Sequence, residues 1–209
     1  MSFLFFPEVL ADTSCVEFYQ GKPGNSGSLG DIWLFEKKRL ENDHYYIQWL
    51  FPTERRSDWN IVAPVLTKED IEQFRNCQDL KERLLKSLRL MLSFYNLKLE
   101  GTSVEPVISA DVSFPDKSRN WLRKNNHNHL RLTRIMDSLT TLGLAQYAKA
   151  LFKCLMEIRK ANSKGISEKT FQCWCWAVHE EPSLYRNNTV ANTPEIISWF
   201  LPEESCCIS

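Results

Sequence analysis

Arg131 and Arg134 stand three residues apart, so on a helix both guanidinium groups reach one face, and Asp137 follows a turn later. Two such forks can take a carboxylate or phosphate through paired hydrogen bonds. The alternative for the same spacing is a solvated helix face closed by an i,i+3 ion pair. Asp43 and His44 offer a carboxylate and an imidazole, but sequence neighbours on a helix do not face each other, so they form no acid–base pair by themselves. His127 and His129, or Cys173, Cys175 and His179, raise the question of a metal. Cys175 and His179 are four apart, an acceptable ligand spacing, but Cys173 points elsewhere and no second pair completes four ligands. The expectation is therefore no metal, with the thiols packed among Trp174 and Trp176. There is no GxSxG, HExxH, P-loop or GxGxxG arrangement. The reading is no enzyme and no cofactor, leaving catalysis only to residues that the fold itself would assemble.

Cys206-Cys207-Ile208-Ser209 fits a C-a-a-X box whose terminal Ser favours a farnesyl group on Cys206. Glu203 and Glu204 stand where a polybasic stretch would reinforce such an anchor, and one lipid alone gives only marginal membrane binding. Peripheral membrane attachment is thus expected only if Cys206 is prenylated. No run approaches the roughly 18 apolar residues of a membrane span, and residues 3–6 are too short an apolar patch for a secretory signal. The seven cysteines are odd in number and scattered, which fits reduced thiols in the cytoplasm or nucleus. Lys and Arg total 26 against 26 Asp and Glu, which argues against a nucleic-acid binder working by broad phosphate attraction.

The elements that must position these residues are mostly helical. Glycine is sparse at seven residues, four of them at Gly21, Gly24, Gly27 and Gly30, so an all-β fold would lack its punctuation. Residues 1–30 read as weakly ordered, with Cys15, Val16, Phe18 and Tyr19 able to dock on the body. A short helix is expected over 31–39, followed by the aromatic segment 44–52, capped by Asn42 or Asp43 and stopped by Pro52. That segment is apolar on most of its circumference, so it is either the hub of a core or the wall of a pocket. Thr67 and Asp70 form a capping box for helices that meet near Cys77 and close at Asn96 or Gly101. Residues 99–119 read as a long surface loop. Further helices are expected over 128–142, with Gly143 as the stop, over 146–160, after Ser167, and from Thr193 to about Phe200. The sum is an all-α, single compact domain of seven or eight helices with a long central loop: a helical domain over 31–201 and a tail over 202–209.

Phe18-Tyr19 with Gly21, then Tyr46-Ile47-Gln48-Trp49-Leu50-Phe51-Pro52, Pro64 with Leu66-Thr67, Met91-Leu92-Ser93-Phe94-Tyr95, Trp121 and the run from Asn128 to Ile135 together resemble the conserved domain of the opioid growth factor receptor family. The resemblance covers roughly residues 15–160, and the YIQWLFP string carries most of it. It implies a helical intracellular protein, nuclear-associated, that binds the pentapeptide Met-enkephalin and restrains proliferation, with no kinship to seven-helix opioid receptors. A binder of such a peptide, or of a partner helix, needs a carboxylate for the terminal amine, aromatic walls for the Tyr and Phe side chains, and a cation for the terminal carboxylate. Glu41 or Asp43, Tyr46 and Trp49, and Arg131 with Arg134 supply these types. The competing reading puts Trp49 and Ile47 in the core and turns the arginines to internal pairing.

Overall fold

Three capping boxes set the starts of helices in this chain. The computed structural model describes residues 13–58, 60–114, 121–162 and 164–180. Ser14 with Glu17 opens α1 (Cys15–Tyr19), Ser28 with Asp31 opens α2 (Leu29–Ile32), and Thr67 with Asp70 opens α5 (Lys68–Asn76). In each, the hydroxyl accepts from the N3 amide while the N3 carboxylate accepts from the cap amide, so two orphan donors are satisfied at once. Between them lie α3 (Lys37–Asn42) and α4 (Ile47–Leu50). Cys77 ends α5 and begins α6 (Gln78–Tyr95), and Asn96 closes α6 in the left-handed conformation at φ 57°. After the hairpin described next come α7 (Asn128–Thr141), α8 (Ala145–Ala161) and α9 (Glu168–Ala177), the last capped by Ser167.

The fold is not strictly all-α. The stretch read as a long loop contains an antiparallel hairpin, β1 (Leu97–Gly101) against β2 (Pro106–Ala110), in the register Leu97↔Ala110, Leu99↔Ile108 and Gly101↔Pro106. The local signal is a short period-2 pattern: Leu97 and Leu99 face inward, Lys98 and Glu100 face outward, and Ile108 is buried on the partner strand. Pro106 stands at the start of β2, where a strand tolerates it. Gly101 turns the corner at φ 82°, and a Cβ there would lie 2.4 Å from the Glu105 carbonyl oxygen. Helix-dominant with one hairpin is the correct class.

Two other boundaries move. The helix expected over 31–39 is two short helices, because Glu36 is extended (ψ 158°) and restarts the chain as the N-cap of α3. The aromatic segment is a single helical turn, α4, since Asp43 is also extended, at ψ 125°. Described residues before 31 join the core: Phe18 and Tyr19 are fully buried, and the Tyr19 hydroxyl donates to the Leu50 carbonyl. The helix expected from Thr193 and the Cys206 box lie outside the described residues.

The core forms where the amphipathic stripes meet. α6 buries Leu80, Leu84, Leu88, Met91 and Tyr95, at successive steps of four, four, three and four. α7 packs on both α8 and α9, and β2 lies against α8. Trp174 of α9 is fully buried, and its indole donates to the His129 carbonyl at 3.2 Å, which fixes α9 to the first turn of α7. Each fully buried Leu or Met along this seam contributes roughly 1.5–3 kcal/mol of transfer free energy.

Candidate functional site

Residues 127, 130, 131 and 134 fall at steps of three, one and three, so His127, Leu130, Arg131 and Arg134 share one stripe of α7 and its approach. That stripe forms one wall of a cleft of about 700 Å³, and the opposite wall comes from residues 42–48 and 56–58. The volume lies in the range of sites for small ligands. Tyr45 and Leu130 present apolar surface to solvent here, 52% and 61% exposed. Asp43, Asp58 and Arg56 add charges of both signs. The Gln48 amide, turned so that its nitrogen donates to the His44 and Tyr45 carbonyls at 3.0 and 3.2 Å, accepts from Ser57 Oγ at 3.3 Å and ties the two segments of that wall together. Asn60 donates to the Tyr45 carbonyl at 2.8 Å from behind. A second depression, of about 750 Å³, lies beside Asp31, Phe35, Lys38 and Arg39, lined only by α2, α3 and the turn between and after them.

Arg131 is the organising residue, and its guanidinium is engaged on backbone carbonyls. It is buried; its Nη1 donates to the Leu40 carbonyl at 2.7 Å and its Nη2 to the Asp43 carbonyl at 2.8 Å. Longer contacts reach the Tyr46 hydroxyl, Asn128 Oδ1 and the Glu41 carbonyl. These bonds hold the chain after α3 in the extended form, which is why the aromatic segment begins its helical turn so late. One planar fork thus supplies a donor to the Asp43 carbonyl and joins the Tyr46 hydroxyl on that of Leu40.

The six residues expected to bind a peptide separate into two groups. Asp43, Arg131 and Arg134 meet on the cleft lining. Asp43 accepts from the Tyr45 amide at 2.8 Å, not from His44, and Arg134 donates to the Phe51 carbonyl at 3.1 Å. Glu41 sits just beyond, accepting from the Asn128 amide at 3.1 Å. Tyr46 and Trp49 stand in the core. The Tyr46 hydroxyl donates to the Leu40 carbonyl at 2.9 Å, and burial pushes its pKa well above the usual phenol value. The Trp49 indole donates to Asn25 Oδ1 at 2.6 Å, and its ring lies on the Gly24 backbone, where a Cβ would meet it at 2.5 Å. The aromatic group that does reach the cleft is Tyr45, next in sequence but on the other side of the turn. The spacing 127, 130, 131, 134 was available in the sequence as the signal for the α7 wall.

Two histidines complete the cleft. The His44 and His127 rings meet edge-on with centroids 5.2 Å apart, and His127 Nε2 lies 3.5 Å from Glu41 Oε1. Burial lowers the His127 pKa, Arg131 and His44 lower it further, and Glu41 works the other way. His129, two residues on and facing inward, hydrogen-bonds the Trp121 carbonyl through Nε2 at 2.9 Å, so Nε2 carries the proton; burial lowers its pKa too. Both histidines therefore bind a proton less tightly folded than unfolded. Stability they contribute is complete above the unfolded value of about 6.5 and is lost as pH falls from there through the folded values. Asp137 opposes this at lower pH, since burial raises its carboxyl and the folded state keeps that proton. Thermal melts between pH 7.5 and 5.5 should show a falling midpoint, and His129→Gln should flatten part of that slope; an unchanged slope contradicts the assignment.

Among the described residues no group of three or more His, Cys, Asp or Glu side chains is placed to hold a metal ion, and no helix is long and apolar enough to cross a membrane. Fold and cleft together describe a helix-dominant protein with a ligand-sized cleft of mixed charge. The chain belongs to the opioid growth factor receptor family: residues 25–190 match the family model described as the opioid growth factor receptor (OGFr) conserved region. It is 33% identical over 175 residues to the opioid growth factor receptor of Homo sapiens, covering 80% of this chain and 25% of that protein. It is 38% identical over 125 residues to the Mus musculus protein of the same name, covering 60% of this chain and 19% of that protein. The opioid growth factor receptor-like protein 1 of Rattus norvegicus is 33% identical over 124 residues, covering 59% of this chain and 26% of that protein. The chain thus spans about a fifth to a quarter of the length of these relatives. No solved structure matches it significantly.

Proposed function

We propose that this protein is a non-enzymatic, receptor-like binding protein that takes a short peptide of the Met-enkephalin kind in the cleft between α7 and residues 42–58. One observation carries the reading: a single cleft of about 700 Å³ joins exposed apolar surface at Tyr45 and Leu130 to carboxylates at Asp43 and Asp58. An aromatic peptide with a free amino terminus needs that combination, an apolar surface for its rings and a carboxylate for its ammonium. The names of the relatives point the same way. The proposed setting is intracellular, in the cytoplasm and nucleus, with a role in growth regulation, as the family resemblance implies.

Titration calorimetry of Met-enkephalin into the full chain tests the reading. Saturable binding with a Kd in the tens of micromolar or tighter is expected. Tyr45→Ala should weaken it about tenfold, roughly the contribution of one aromatic contact, without moving the unfolding midpoint, because the ring is half exposed. A flat titration of the folded wild type removes the peptide reading.

A further inference from the structure

We propose that Arg134 is an anion seat in the α7 wall of the cleft, and that the group it takes is the free carboxylate end of a bound peptide. The inference rests on the peptide reading and names which end of the ligand is anchored, and where. Of the two arginines on this stripe, Arg131 has both terminal nitrogens engaged on backbone carbonyls, so it is not available to a ligand. Arg134 differs. It lines the cleft and donates once, from Nη1 to the Phe51 carbonyl, and among the described residues it forms no ion pair. A guanidinium carries five N–H donors in a rigid fork, so donors remain with the geometry that a carboxylate matches in pairs.

Burial disfavours the charged form of Arg134, Asp137 one turn on favours it, and the nearby Arg55 opposes it. A half-buried cation in this state is stabilised by any anion that reaches it, since the desolvation has already occurred on folding. Arg56 stands on the facing segment of the same lining, one of its donors on the Ile61 carbonyl. Asp43 and Asp58 lie on that lining as well. Their negative charge opposes a dianion more than a singly charged group, which favours a carboxylate over a phosphate. The same two aspartates supply carboxylates on the lining for the ammonium of a short zwitterionic peptide.

The test compares Met-enkephalin with its C-terminal amide on the full chain, by calorimetry and by the side-chain Nε–Hε resonance of Arg134. The acid should bind about tenfold more tightly than the amide, and only the acid should shift the Arg134 resonance. In Arg134→Gln the acid should lose its advantage over the amide, and Arg134→Lys should restore part of the preference. Where Arg134→Gln does not fold, the wild-type comparison and the resonance decide. Equal binding of acid and amide by the wild type overturns this proposal and leaves the peptide reading standing; binding of neither ends both. Inorganic phosphate shifting Arg134 with no preference for the acid assigns the seat to a phosphate group and overturns the carboxylate reading.

Discussion

Arg131→Met should lower the stability of the protein by about 3–5 kcal/mol, the range for removing one partner of a buried, charge-assisted network. The side chain is 5% exposed and bridges elements 91 residues apart, from α7 to the Leu40 carbonyl. Methionine fills most of the space but donates nothing. The Asp43 carbonyl then loses its Arg131 donor, at roughly 1–3 kcal/mol if no other partner reaches it, while the Leu40 carbonyl keeps only the Tyr46 hydroxyl. Arg131→Lys keeps the charge but replaces a planar fork by one ammonium, which cannot reach both carbonyls in the same geometry, so it should recover only part of the loss. Urea unfolding followed by circular dichroism measures both. A loss below about 1 kcal/mol for the Met variant would show that water replaces the fork, and that residues 40–46 hold their course without it.

Trp49→Ala should cost about 3–5 kcal/mol, as expected for truncating a large buried aromatic side chain. The ring is 3% exposed, packs against Phe18 with centroids 5.0 Å apart and lies on the Gly24 backbone. Its indole also anchors Asn25, which pairs with Asn60, which in turn holds the Tyr45 carbonyl. Loss of Trp49 therefore loosens the cleft from behind as well as the core. Any loss of peptide affinity in this variant should scale with its loss of stability, whereas Tyr45→Ala should separate the two. Paired measurement of unfolding free energy and Kd for both variants checks this. Unchanged stability with abolished binding in Trp49→Ala would return the ring to the ligand.

The aromatic segment shows how far sequence reasoning reaches. Its composition requires burial, and its YIQWLFP string marks the family. Which of its rings faces outward depends on a backbone path set by Arg131. Read as one continuous helix, the segment puts Tyr46 and Trp49 on a common face. Read as an extended approach followed by one turn, it buries both and leaves Tyr45 outside. The hairpin was hidden for a related reason: five-residue strands carry only two or three period-2 repeats, and Gly101 and Pro106 look like loop residues until they are seen at the corner and the strand start.

What the sequence determined by itself is local. The capping boxes at Ser14, Ser28 and Thr67, the break at Cys77, the left-handed stop at Asn96 and the amphipathic stripes of α6 and α7 are encoded within one or two turns of chain. Hydrogen bonds and side-chain periods at that range involve residues three or four apart, so the order of amino acids specifies them directly. The tertiary structure decided the cleft. It turned Arg131 onto the backbone of α3, left Arg134 with donors to offer, drew Tyr46 and Trp49 inward and brought residues 56–58 opposite α7. Each of those outcomes is a pairing between segments tens of residues apart. Many sequence-compatible partners exist for a guanidinium or an indole, and only the packing of the whole core selects one.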